Sequence, residues 1–186
     1  MTERNGFTVW LTGLSAAGKS TIGRLVAEEL ERRGALVEVL DGDVVRTQLS
    51  RGLGFSKEDR DRNILRIGWV ASRLTRAGAA VVVSAISPYR ETRRRARGMI
   101  EEHGTFVEVY VATSLDECER RDPKGLYAKA RTGEIAEFTG VSDPYEPPEH
   151  AEVELHTEGK TPQQSADIVL ARLEELGLIP AAEAVA

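Results

Sequence analysis

The run AAVVVS, Ala79 to Ser84, is apolar or small from end to end. A half-buried strand alternates apolar and polar residues; this one does not. It has to be covered on both faces, which is the setting of a parallel sheet flanked by helices. The rest of the chain agrees. Phe7 to Thr12, Ala35 to Leu40, Thr105 to Ala112 and Val153 to Thr157 read as further strands, with helical spacing between them. Ile22, Leu25, Val26 and Leu30 form one helical stripe. Ile64, Ile67, Gly68, Ala71 and Leu74 form another, in a helix capped by Ser56 with Asp59 three residues on and ended by Gly78. SLDE, Ser114 to Glu117, has capping-box spacing. TPQQ, Thr161 to Gln164, adds a proline at the first helical position, and its helix turns Ala166, Val169, Leu170 and Leu173 inward. A short helix is expected after Asp43, with Asp43 as its cap. Repeated βα units of this kind imply a mainly parallel sheet with helices on both faces.

The 186 residues suit one domain, residues 1–186, without internal repeats. A chain of this length buries roughly 70% of its unfolded surface and needs no staples. It has one cysteine, Cys118, so no internal disulfide is expected. The start MTERNG is polar, and there is no long apolar run. The expectation is a cytoplasmic protein without a membrane partner. A net charge of −5 argues against nucleic acid as a partner. The arginines cluster all the same, in YRETRRRARG from Tyr89 to Gly98. That run reads as a solvated helix face, with room for part of it to meet a phosphate-rich cleft. Asp122 to Pro148 is rich in Gly, Pro and charge and has little apolar periodicity. It is too long for an ordinary connection, and such segments are commonly active-site lids or disordered. The tail PAAEAVA is expected to fray.

GLSAAGKST, Gly13 to Thr21, follows the first strand and opens the first helix. Gly13, Gly18, Lys19 and Ser20 match G-x-x-x-x-G-K-[ST], the P-loop. Glycines let successive amides converge on an anion, and the helix N-terminus adds partial positive charge. Leu14, Ser15, Ala16, Ala17 and Thr21 complete the loop through their backbone. Lys19 reaches the outer phosphates of a nucleotide, and the Ser20 hydroxyl ligates Mg²⁺. The donor is expected to be ATP. No N-K-x-D motif appears, which disfavours a regulatory GTPase. LDGD then places Asp41 and Asp43 at the carboxyl end of a neighbouring strand, the ligand edge of such sheets. One carboxylate can orient Mg²⁺, for which Asp41 is taken together with Ser20. The other can position an acceptor hydroxyl or take its proton.

These motifs, with DGDVVR, LGFSKEDRDRN, ISPYR, RDPKGLYAKARTGEI and FTGVSDPYEPP in that order, resemble those of the adenylylsulfate kinase family as far as about Glu149. The resemblance implies the P-loop NTPase fold with a mobile lid at roughly 122–148. It implies transfer of the ATP γ-phosphate to the 3′-hydroxyl of adenosine 5′-phosphosulfate, giving 3′-phosphoadenylyl sulfate for sulfate assimilation. The alternative is a related P-loop kinase acting on another nucleotide or sugar hydroxyl. Carried onto this chain, the acceptor site falls on Asp43, Arg46, Phe55, Arg60, Asn63, Ile86, Ser87, Lys124, Leu126 and Phe138. Arg46 and Arg60 offer forked donors to phosphosulfate oxygens. Phe55 and Phe138 suit the two sides of an adenine, and Asn63 a purine or ribose. With Lys19, Asp41 and Asp43, Ser87 is the family's active-site serine. No histidine stands beside it in sequence, which favours hydrogen bonding to acceptor over a covalent role. Arg120 is expected along the nucleotide base, and Lys129 and Arg131 over the transferring phosphate. The resemblance also implies a homodimer and functional coupling to a separate ATP sulfurylase. The chain departs from the family pattern at Ala17, Val44, Leu65, Trp69 and Ala85, where Ser, Asn, a basic residue, an acidic residue and Phe are more usual.

Overall fold

A computed structural model describes residues 6–181. The last five residues of the tail expected to fray lie outside the described residues. Five strands, β1 (Phe7–Thr12), β2 (Val37–Asp41), β3 (Ala80–Ser84), β4 (Thr105–Val111) and β5 (Val153–Leu155), form one sheet in the order β2-β3-β1-β4-β5. Every neighbouring pair is parallel, with Val9 of β1 in register with Val82 of β3 and Val107 of β4. The strand around AAVVVS is buried at every position, as its composition demands.

Helices cover both faces. α1 (Lys19–Arg32) and α7 (Pro162–Glu175) pack on one, burying Val26, Leu30, Val169 and Leu173 against Val9, Leu11 and Val109. On the other, α3 (Lys57–Arg76) and α4 (Arg90–Glu101) enclose Trp10, Ile64, Ile67, Val81, Val83, Ile100 and Phe106. Gly68 permits their close approach, since a Cβ there would lie 2.9 Å from that of Ala96. Ser56 and Ser114 accept from Asp59 N and Glu117 N as expected, and Thr161 and Gln164 form a full capping box. At Ser114 the reciprocal half is made from a distance, by Glu158, which accepts from Ser114 N at 2.9 Å.

Three local expectations change. The cap of α2 (Gly42–Gln48) is Asp41, whose Oδ1 accepts from Asp43 N at 3.0 Å. β2 runs through Asp41, so the extended backbone a cap requires falls there, and the Asp43 carboxylate, released from capping, pairs with Lys124 instead. The segment 122–148 contains a short helix, α6 (Leu126–Arg131), beyond α5 (Leu115–Arg121). The arginine-rich helix is no simple solvated face: Arg93 is 3% exposed and pairs with Glu108 on β4 at 2.9 Å.

Candidate active site

The carboxyl ends of β1, β2 and β3 lie side by side, with Leu11 and Asp41 both in register with Ser84. A cleft of about 1050 Å³ opens along this edge, roofed by residues of the 122–139 segment. That volume is at the upper end for a small-molecule site.

Between β1 and α1 the backbone turns left-handed at Ala16 (φ 60°) and Gly18 (φ 108°). Changes of hand of this kind aim successive amides at one point, an anion nest, and the α1 N-terminus adds its partial charge. Ser15 through Thr21 line the cleft, whereas Gly13 and Leu14 do not. Gly13 serves packing, because a Cβ there would lie 2.6 Å from the Val111 carbonyl oxygen. Lys19 is 8% exposed and donates to the Leu14 carbonyl at 2.6 Å. Burial pulls its ammonium down from 10.5 to about 8, which the nearby Cys118, Asp43 and Asp41 offset only in part. Asp41 Oδ2 accepts from Ser20 Oγ at 2.6 Å while Oδ1 caps α2, so one carboxylate orients the serine and starts the next helix.

The residues of the expected acceptor site all line the same cleft: Asp43, Arg46, Phe55, Arg60, Asn63, Ile86, Ser87, Lys124, Leu126 and Phe138. Phe55 is 57% exposed beneath the Arg46 guanidinium, 4.1 Å from it, and Phe138 meets Tyr127 edge-on at 5.0 Å. Burial, then the adjacent Arg60, lowers the Arg46 guanidinium from its ordinary value. Arg60 is 8% exposed and much occupied: it donates to Phe55 O at 2.6 Å, to Thr139 Oγ1 and Glu137 O, and pairs with Asp143 at 3.0 Å. It straps α3 to the roof of the cleft. Asn63 is 6% exposed, and its Oδ1 has no partner among the described residues; a buried acceptor left this way needs a ligand or water. Lys124 reaches across the mouth to pair with Asp43.

Ser87 is 1% exposed, has φ 42°, and accepts from Trp10 Nε1 at 3.1 Å while donating to Ala85 O at 3.3 Å. Among the described residues, no carboxylate or imidazole is hydrogen-bonded to its hydroxyl, so none of them activates it as a nucleophile.

Three expected residues lie elsewhere. Arg120 points along α5, donating twice to Glu117 at 2.6 and 2.7 Å, and does not line the cleft. Its neighbour Arg121 does, reaching Ala17 O at 3.3 Å and Thr157 Oγ1 at 3.2 Å. One helical step, about 100° of rotation, separates the two, and the tandem pair in sequence gives no sign of which faces in. Lys129 and Arg131 also lie off the cleft, with Arg131 held by Glu119. Thr157, Lys160, Pro162 and Ser165 line the cleft beyond the P-loop and were not anticipated. Their signal was position: they follow β5, whose carboxyl end belongs to the same ligand edge. Of the departures from the family pattern, Ala17 and Ala85 line the cleft; Val44, Leu65 and Trp69 do not.

The sequence pattern of the adenylylsulphate kinase family matches residues 5–156. An adenylyl-sulfate kinase from Microcystis aeruginosa is 57% identical over 183 residues, which cover 98% of this chain and 99% of that protein. A probable bifunctional SAT/APS kinase from Sorangium cellulosum is 53% identical over 95% of this chain but only 30% of its own length. Among solved structures, the Mycobacterium tuberculosis APS kinase in complex with AMPPNP and APS superposes with a TM-score of 0.88 at 45% identity, over 91% of this chain and 98% of that one. The hexameric APS kinase from Thiobacillus denitrificans gives 0.75 at 39% identity, over 97% of this chain and 31% of that one. On the family match and on these identities, the chain belongs to the adenylylsulphate kinase family.

Proposed function

We propose that the chain transfers the γ-phosphate of ATP to the 3′-hydroxyl of adenosine 5′-phosphosulfate, giving 3′-phosphoadenylyl sulfate. The observation that carries this is one continuous cleft. Its donor arm holds Lys19, Ser20 and the loop amides; its acceptor arm holds Asp43, Arg46, Phe55, Arg60, Asn63 and Phe138. A site with both arms lets an in-line transfer proceed by positioning and charge, with no covalent enzyme intermediate.

In this reading the loop amides and Lys19 grip the outer phosphates, and Arg121 reaches over the loop from α5. Ser20 and Asp41 fit a magnesium ion, since both offer hard oxygen donors and stand 2.6 Å apart. When bound, that ion neutralises charge on the transferring phosphoryl group. Asp43, on the first turn of α2, holds the acceptor hydroxyl in line and takes its proton. Phe55 and Phe138 flank the adenine, the Asn63 amide meets its polar edge or the ribose, and Arg46 faces the phosphosulfate. The roof formed by 122–139 keeps water from the phosphoryl group. A homodimer, checked by sedimentation of the purified chain, and cooperation with a separate ATP sulfurylase complete the proposal. The relative from Sorangium cellulosum, named as a joint SAT/APS kinase, favours the second. None of the described helices is long and apolar enough to cross a membrane; the proposed site of action is the cytoplasm.

Coupled ADP release over a panel of nucleotide and sugar acceptors tests the reading. Adenosine 5′-phosphosulfate is expected to raise the rate far above the ATP-only background. No increase with it, beside turnover of another acceptor, would overturn the assignment.

A further inference from the structure

The arginine-rich helix contains one side chain that the site above does not use. Arg93 is 3% exposed and lies outside the cleft, yet it touches the loop that Ser87 belongs to. Its Nε pairs with Glu108 at 2.9 Å, Nη1 donates to Ser87 O at 2.6 Å, and Nη2 donates to Glu146 O at 2.7 Å. Glu146 belongs to the far end of the 122–148 segment. It is tied back twice more, donating from N to Pro88 O of the same loop at 2.8 Å and accepting through Oε2 from Arg90 N at the start of α4 at 2.8 Å.

The loop shows a consistent division of labour. The Ala85 carbonyl accepts from Ser87 Oγ, Ile86 O from Thr12 Oγ1 at 2.7 Å, Ser87 O from Arg93, and Pro88 O from Glu146. Every carbonyl from 85 to 88 is thus held. The amides of Ile86 and Ser87 have no acceptor among the described residues, and both residues line the cleft. Ser87 keeps this arrangement at φ 42°, a left-handed conformation that is unfavourable for a residue with a Cβ and persists only where its surroundings enforce it. A left-handed residue in such a loop turns neighbouring amides toward one point, where an anion can sit.

We propose that Arg93 is a positioning residue for the acceptor arm. Its fork fixes the Ser87 carbonyl and the root of the roof together, so that the Ile86 and Ser87 amides stay presented to the acceptor's anionic group. The inference rests on the adenylylsulfate reading above. A lysine keeps the charge beside Glu108 but is a single point donor and cannot hold three acceptors in a plane.

The test is steady-state kinetics of Arg93→Lys beside the unaltered enzyme, with binding of a non-hydrolysable ATP analogue and a thermal melt. The acceptor KM is expected to rise about tenfold, the cost of a lost charge-assisted hydrogen bond, with analogue affinity within about twofold, because no hydrogen bond or ion pair among the described residues joins Arg93 to the P-loop. Glu108→Gln, which leaves an amide oxygen to accept from Arg93 Nε but removes the charge, is expected to move acceptor KM the same way by about threefold, and it decides the matter if Arg93→Lys does not fold. Equal losses at both substrates, or an unchanged acceptor KM in a folded variant, would overturn the proposal. If the unaltered enzyme itself ignores adenylylsulfate, the functional reading fails instead, which the same assay separates.

Discussion

The two arms of the cleft are built in different ways. The donor arm is contiguous: Ser15 to Thr21 supply it, and distant residues other than Asp41 meet it at backbone carbonyls, with Thr113 and Arg121 donating to Ala17 O, Tyr127 to Ser15 O and Ser84 to Lys19 O. The acceptor arm is assembled from α2, α3, the loop after β3 and the 122–139 roof, and long-range bonds hold it. Arg60 binds Glu137 and Thr139, and Lys124 binds Asp43. A contiguous arm is set by local backbone geometry and tolerates side-chain change in the loop, as Ala17 illustrates. An assembled arm depends on particular side chains meeting across the fold. Substitutions in the first should therefore act on chemistry, and in the second on acceptor affinity and on water exclusion.

The largest effect should come from Lys19→Met. Losing the lysine proposed to meet the outer phosphates is expected to lower kcat by about a thousandfold or more. The folded protein should nevertheless melt higher, because a cation buried against a single carbonyl is removed. The pH dependence follows from linkage. Lys19 is near 8 when folded and 10.5 otherwise, so between those values the unfolded chain binds more protons. Stability of the ligand-free enzyme should then rise with pH through that window, and this component should be absent from the variant. Melts at pH 7 and pH 9 on both proteins check it. A variant that melts lower would mean the ammonium is better solvated than its burial indicates.

Arg60→Lys tests the other arm. The lysine cannot serve Phe55 O, Thr139, Glu137 O and Asp143 together. Acceptor KM is expected to rise about tenfold and ADP release without acceptor to increase severalfold as the roof loosens, with nucleotide affinity little changed. If nucleotide affinity falls in parallel, the two arms are one cooperative unit and the contrast between them is lost.

The same contrast explains what could be read from sequence. The sheet was legible because AAVVVS demands cover on both faces and its companions are apolar runs set between helical patterns, although β2 itself is only half buried. The P-loop was legible because its function lies in residues that are neighbours in the chain. The acceptor residues were reached through family motifs, and the structure brings all of them to one cleft. What sequence hid was direction. Arg120 and Arg121 are adjacent and identical in type, and only the fold decides which faces the loop. Arg93 sits among arginines that are mostly solvated, and its burial depends on Glu108, a residue of β4 whose inward charge no periodicity predicts. Asp41 took the cap from Asp43 because β2 runs one residue further than its apolar run.

The smallest expected effect concerns the departures from the family pattern. Val44 follows DGD where Asn is usual, close in sequence to Asp43. In the fold it is 60% exposed and does not line the cleft, because α2 turns it outward while Asp43 faces Lys124. Exposed substitutions away from packing and hydrogen-bonded networks seldom shift stability by more than about 0.5 kcal/mol. Val44→Asn should therefore change acceptor KM and kcat by less than about twofold, and ligand-free stability by less than about 0.5 kcal/mol. Steady-state kinetics and a denaturant melt on one variant measure both. A KM that drops severalfold would show that α2 rotates when acceptor binds and brings this position to the ligand. The acceptor arm would then extend past the cleft lined by Asp43 and Arg46, and the sequence departure would carry specificity that its exposed position does not suggest.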